Sequence, residues 1–307
     1  VNIEECLPNG LGARPLRMAD ARAVYQVMAA LERAEIGSAD IEEADIVADW
    51  QRPSVDVPSV TLGVFAGDRL VGYAEAARDG RCDAAVHPDW HGRGIGTALA
   101  RWMQHRSREL GASRVGMPVP QGGTGDRLLQ ALGYHVAWTS WVLRLPEGAD
   151  IEPRALPDGH VVRVARPEEY RAVHQVVDEA FLEWADREPQ PYEDFEAGVL
   201  RRPGFEPWQV RVVARSDGIV GAAVLVMARD EEGAPVEGYV DKLAVRRGRR
   251  GLGLAQALLV DAFTLAREHG APAVGLATDS RTGALSLYAK VGMVVTQTWV
   301  HRAIDLG

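Results

Sequence analysis

The 307-residue sequence predicts an α/β fold built as two tandem copies of one domain, each a mixed, mostly antiparallel twisted sheet flanked by helices. Three observations carry this. A stretch in which an apolar strand end runs through a basic, glycine-bearing turn into an Ala- and Leu-rich helix occurs twice, at residues 86–99 and 245–258. The copies hold register, because Arg14 and Arg163 stand 149 apart, as do Gly72 and Gly221, while Val86/Val245 and Gly133/Gly292 each stand 159 apart. Each copy also places a strand pair ahead of a strand–helix–strand unit, the mark of a mixed sheet covered by helices. A period this long means duplicated domains rather than a solenoid.

In order, each copy begins with a short strand that turns into a helix with apolar residues at helical spacing, from Arg14 in the first and from Arg163 in the second. A second helix and a hairpin follow. In the first copy Gly67-Asp68 separates the hairpin strands, and in the second Asp217-Gly218 does so, both turn signals. The step in offset from 149 to 159 assigns about ten extra residues to the second copy's loop at 229–235. The strand before the glycine turn, a long helix, a strand, a short helix and final strands complete each copy. Residues 147–159 are rich in Pro, Gly and acid without periodicity and read as a linker, giving domains at 1–146 and 160–307.

Composition narrows the partners. At 47% hydrophobic and 25% charged residues the chain can fill two cores, and its net charge of −9 disfavours nucleic acid and anionic membranes as ligands. Small or cationic partners fit better. Two cysteines, Cys6 and Cys82, supply no disulfide framework, residues 1–5 lack a basic leader, and no apolar run approaches membrane-spanning length, so a cytoplasmic location is expected. None of the eight histidines has metal-ligand spacing, and no metal is expected.

The turns read His91-Gly92-Arg93-Gly94-Ile95-Gly96 and Arg250-Gly251-Leu252-Gly253-Leu254-Ala255. Glycines there let backbone N–H groups close on an anion, and the following helix N-terminus adds partial positive charge. Each is a phosphate cradle. The second reads Q/R-x-x-G-x-G/A and resembles the acyl-CoA signature of the GNAT (GCN-related) N-acetyltransferase superfamily; the first is similar, with His in the leading place. The domain order resembles two-domain acetyltransferases of the mycothiol synthase type over nearly the whole chain.

The resemblance implies acetyl-CoA as co-substrate. Its contacts would come from Ala85, Val86, His91, Gly92, Arg93, Gly94, Ile95, Gly96 and Thr97 in the first copy. In the second they would come from Leu243, Ala244, Val245, Arg250, Gly251, Leu252, Gly253, Leu254 and Ala255. The basic cluster Arg246, Arg247, Arg249 and Arg250 lies where the CoA phosphates would fall.

Acetyl transfer to an amine requires a neutral amine, a polarised carbonyl and a proton for the departing thiolate. Residues 282–293 are similar to the family's last helix, and the resemblance gives Tyr288 the role of general acid toward the CoA sulfur; a core tyrosine is the alternative. The first copy has Leu129 in that place, so it is expected to bind CoA without catalysing transfer. For the base, period-two alternation puts Glu237, Tyr239, Asp241, Leu243 and Val245 on one face of a strand. The family's usual glutamate position falls nearest Tyr239, which leaves Glu237 and Asp241 as candidates, with solvated surface carboxylates as the alternative. Cys82 is the first copy's counterpart of Asp241. The acceptor is expected to meet residues 181–195, which mix aromatics with carboxylates suited to a cationic amine, or else form a solvated acidic helix end.

The expected activity is acetyl-CoA-dependent N-acetylation of a small-molecule amine by direct attack on the thioester, by a monomer or homodimer. Acetylation of a protein amine or an amine antibiotic, and a non-catalytic acyl-CoA-binding sensor, stay open.

Overall fold

The computed structural model describes residues 6–184, 187–230 and 232–307. Residues 1–5, Ala185 and Asp186 of the expected acceptor segment, and Glu231 of the expected loop lie outside the described residues. Two compact units are present: unit 1 comprises Val1–Ser140 and Gln297–Gly307, and unit 2 comprises Trp141–Thr296. The division thus differs from the boundaries read from the linker. Residues 297–307 join unit 1, and the linker belongs to unit 2.

In unit 1, β1 (Leu11–Arg14) precedes α1 (Ala21–Ile36), α2 (Glu43–Trp50) and the single turn α3 (Val57–Val60). The strands β2 (Thr61–Ala66), β3 (Arg69–Ala76) and β4 (Cys82–Val86) then form an antiparallel sheet in the order β1-β2-β3-β4. α4 (Ile95–Glu109), β5 (Arg114–Pro120), α5 (Thr124–Ala131) and β6 (His135–Arg144) follow. One face of the sheet packs on α1 and α2 through Val24, Val27, Ile46, Trp50 and Tyr73. The other packs on α4 through Ile95, Leu99 and Met103.

Among the described residues, the chain just before β4 meets β5 in a parallel bridge between Arg81 and Gly116, and β4 and β5 form no ladder beyond it. The approach at that bridge is close. A β-carbon on Gly80, which has φ +77°, would lie 1.9 Å from the Arg114 carbonyl oxygen, so only glycine fits. The outer edge of β5 is completed by the chain's last strand, Trp299 opposite Pro120 through Asp305 opposite Arg114. That pairing explains why residues 297–307 belong to unit 1: an uncovered edge would leave a row of backbone groups without partners.

Unit 2 repeats the plan with β7 (Val161–Val164), α6 (Tyr170–Phe181), α7 (Tyr192–Phe195), β8 (Val210–Arg215), β9 (Gly218–Arg229) and β10 (Pro235–Val245). α8 (Leu254–Glu268), β11 (Ala273–Asp279), α9 (Leu285–Lys290) and the start of β12 (Val294–Asp305) complete it. Strands run β11-β10-β9-β8-β7, with β10 and β11 parallel from Glu237/Ala273 to Val240/Leu276. Residues 141–144 of β6 lie beside β11, and the Leu145 N–H donates to Val274 O at 3.1 Å.

The ten extra residues do not enlarge a loop, as the sequence suggested. β9 and β10 are 12 and 11 residues long against 8 and 5 for β3 and β4, so the insertion is absorbed as paired strand. The expected linker is also no free tether. Arg267 binds Asp150 and the Ala149 carbonyl, Gln256 donates to Glu152 O at 2.8 Å, and Ile151 is buried, so 149–156 is fastened along α8. Among the described residues, no helix is long and apolar enough to cross a membrane.

Candidate active site

Both cradles form as left-handed glycine turns. Gly92 and Gly94 have φ +73° and +84°, Gly251 and Gly253 +78° and +79°, and the last of each pair is the N-cap of α4 or α8 without a side-chain cap. The first-turn N–H groups of both 15-residue helices are therefore turned toward the cradle without intrahelical acceptors. The leading residue braces each turn in the same way: a His91 ring nitrogen lies 2.9 Å from Val86 O, and Arg250 Nε donates to Val245 O at 3.1 Å.

In unit 2 the basic cluster is largely paired. Arg246 holds Glu179 at 2.8 Å, Arg249 reaches Asp217 at 3.3 Å, and Arg250 holds Glu183 through both terminal nitrogens at 2.9 and 2.7 Å. A further cation comes from the linker segment. A β-carbon on Gly253 would lie 2.7 Å from Arg154 Cδ and 3.0 Å from Nε, so that side chain lies against the cradle. Leu243, Ala244 and Val245 end the strand that leads in, and Leu254 and Ala255 open α8, with Leu252 exposed between the glycines.

Tyr288 sits on α9 within the core cluster that holds Val245, Leu254, Leu258 and Met293. It is 8% exposed, no described residue hydrogen-bonds its hydroxyl, and burial pushes the phenol up to about 12. It stays protonated across the neutral range, as a donor must. The segment expected to meet the acceptor does approach this region: Trp184 packs on Phe181 and beneath Arg281 of the β11–α9 loop, and Glu183 binds Arg250 of the cradle.

The candidate bases behave differently from the expected single face. β10 carries a bulge between Val240 and Lys242, where Asp241 is the extra residue. Before it, Val240 faces the α8 core; after it, Leu243 and Val245 do, so parity flips and Glu237 and Tyr239 point away from the side of Leu243 and Val245. Glu237 is gripped by Arg144 in a two-bond ion pair at 2.8 and 2.9 Å. Asp241 is exposed, paired with Lys242 Nζ at 2.7 Å, at the point where β10 leaves β11.

Unit 1 opens a cavity of about 640 Å3 between the separated β4 and β5. Ala85, Val86, His91, Gly92, Gly94, Ile95, Gly96 and Thr97 all line it. Arg93 does not. It stacks over Trp90 at 4.4 Å and donates to Asp89 O at 3.2 Å. Leu129, the counterpart of Tyr288, also faces this cavity.

Sequence reading missed a carboxylate here, Asp83, one residue beyond Cys82. It lies on the cavity wall and directly opposite Glu75 on β3. Desolvation, then the neighbouring Glu75, pushes Asp83 up to about 7, and burial raises Glu75 as well. The turn at Asp79-Gly80 was the available signal, since a hairpin centred there sets these two positions face to face.

The model described as "Acetyltransferase (GNAT) family" matches residues 24–132 and 170–293, one stretch in each unit. The mycothiol acetyltransferase of Pseudarthrobacter chlorophenolicus is 26% identical over 283 residues, covering 87% of this chain and 86% of that protein. The protein of the same name from Salinispora arenicola is 28% identical over 246 residues, 75% of each. Among solved structures, a GCN5-related N-acetyltransferase from Sphaerobacter thermophilus superposes with a TM-score of 0.73 at 25% identity, over 98% of this chain and 97% of that one. A tandem GNAT protein from the clavulanic acid biosynthesis pathway gives 0.72 at 19% identity, over 97% and 99%, and shows the shared fold.

Proposed function

The chain belongs to the acetyltransferase (GNAT) family and is an acyltransferase, and on that premise we propose that it is an acetyl-CoA-dependent N-acetyltransferase of a small-molecule amine, with unit 2 as the catalytic copy. The observation that carries the choice of unit is Tyr288, a buried phenol without a described hydrogen-bond partner, in the same core cluster as the first residue of the cradle helix. Among the described residues the Tyr288 hydroxyl oxygen is not one of the fully buried atoms left without a partner, so a ligand can reach it. Relatives named mycothiol acetyltransferase support acetyl as the group transferred.

The residues present fit the co-substrate. Gly251 has open space where a β-carbon would stand, and the N–H groups at the start of α8 face the same turn, a setting for a pyrophosphate. Arg154 and the exposed Arg247 would add charge to its phosphates. Bound there, acetyl-CoA would supply the acyl group as a thioester. Tyr288 would hold its proton at the phenol oxygen and give it to the departing sulfur. Of the two carboxylates, Asp241 at the bulge is open to solvent and would take the amine proton through water, whereas Glu237 would orient the strand through Arg144.

Detection of free CoA thiol released across a panel of small primary and secondary amines tests the reading. Amine-dependent release is expected. Tight CoA binding with no release on any amine, or release only with peptide amines, would contradict it.

A further inference from the structure

The sequence carries very few side-chain amines. Of its 34 Lys and Arg residues, only Lys242 and Lys290 are lysines. A guanidinium stays protonated and does not compete for an acyl group, whereas a lysine that sheds its proton is a nucleophile. One of the two lysines stands at the candidate site itself.

Lys242 follows the bulge residue Asp241, and its Nζ donates to the Asp241 carboxylate at 2.7 Å. The β10–β11 ladder ends at Val240/Leu276, so Lys242 lies just past the point where the two strands part. The bulge decides its side. Leu243 and Val245 face α8, while Ala244 packs with Val173 and Val176 of α6, so Lys242, two residues before Ala244, stands on the α6 side of the sheet. α6 leads directly into the segment expected to meet the acceptor. The duplication gives a second bearing: the offset of 159 matches Lys242 to Asp83, which lines the cavity of unit 1. Unit 2 thus carries a primary amine where unit 1 carries a carboxyl.

We propose that Lys242 is a self-acetylation site, which takes the acetyl group from acetyl-CoA held in its own unit when no amine substrate is present. The proposal rests on the transfer reading of unit 2, in which acetyl-CoA lies at the cradle and along Leu243, Ala244 and Val245; the next residue upstream is Lys242. Asp241 takes one proton from the ammonium and releases it to water. The freed electron pair on Nζ forms the N–C bond as the C–S bond breaks, the thiolate takes the Tyr288 proton, and the proton shed by the new amide nitrogen restores the phenol. The products are free CoA and one side-chain amide. An amine fixed in the same chain needs no encounter with the thioester, an advantage that for well-oriented groups reaches effective concentrations of about 10⁵–10⁸ M.

Intact-mass measurement and peptide mapping of the full chain, incubated with acetyl-CoA at about pH 8 without added amine, test this. One acetyl group per chain is expected on Lys242, at a rate per chain that does not depend on protein concentration. Lys290, exposed on the last turn of α9, is the internal reference and should react at least tenfold more slowly. Lys242→Arg should abolish the fast label and Lys290→Arg should leave it unchanged. Unfolding in urea should bring Lys242 down to the rate of Lys290, which separates transfer within the folded site from reaction with acetyl-CoA in solution. Equal labelling of the two lysines in the folded chain, a Lys242 label that persists at the same rate in urea, or an unlabelled chain that still releases CoA to added amines would overturn the proposal. A chain that neither labels nor releases CoA would overturn the transfer reading along with it.

Discussion

Replacing Asp83 by Asn should stabilise the protein at alkaline pH. In the folded chain Asp83 is raised from 3.8 to about 7, chiefly by desolvation and secondly by Glu75. Between those values the folded state keeps a proton that the unfolded state has lost, so wild-type stability falls as pH rises through this window. The difference of about three units sets an upper bound of ~4 kcal/mol at about 1.4 kcal/mol per unit. Solvent reaching Asp83 through the cavity, and the cost of burying the amide, bring the expected gain to about 1–3 kcal/mol above pH 7.5. At pH 4 the gain should vanish. Urea unfolding of both proteins from pH 4 to 8.5 checks this, with the midpoint difference converted through a common slope. An Asp83→Asn protein less stable than wild type at pH 8, or a gain of equal size at pH 4 and pH 8, would refute the account of a crowded carboxyl pair.

The two cradles should respond differently to one added methyl group. Gly94→Ala and Gly253→Ala each force an L-residue to positive φ, costing about 1–2 kcal/mol of stability, but only the latter also pushes against Arg154. Gly253→Ala should therefore lower amine-dependent CoA release at least tenfold, while Gly94→Ala leaves it within about threefold by the same thiol assay. Glu237→Gln should reduce stability by about 1–3 kcal/mol, since it leaves the partly buried Arg144 without its counter-charge, and should leave kcat within about threefold, as read by denaturation and steady-state kinetics.

Much of the architecture was legible because duplication prints the same pattern twice. The constant offsets, the turn dipeptides and the two glycine turns all reappear as matching elements with matching backbone conformations. What escaped were features that depend on pairing rather than on local sequence. The bulge at Asp241 involves no glycine and leaves no compositional trace, yet it inverts which side chains share a face. The extra residues of the second copy look like a polar loop, but they pair along β9 and β10. The segment 147–159 has linker composition, and only its contacts with Gln256 and Arg267 reveal that it is pinned to α8. Asp83 was overlooked because residue-by-residue matching compared Asp241 with Cys82, whereas the strand register sets Asp83 opposite Glu75.

The central claim, that unit 2 transfers acetyl with Tyr288 as the proton donor, is tested most directly by steady-state CoA release from Tyr288→Phe with a saturating amine acceptor. The substitution keeps the ring in its core cluster and removes only the hydroxyl, so the thermal midpoint should hold. kcat and kcat/KM should fall together by roughly 10–1,000-fold, with the KM for the amine little changed, as expected when a general acid acting only in the transition state is lost. Full turnover by Tyr288→Phe at an unchanged thermal midpoint would contradict the account.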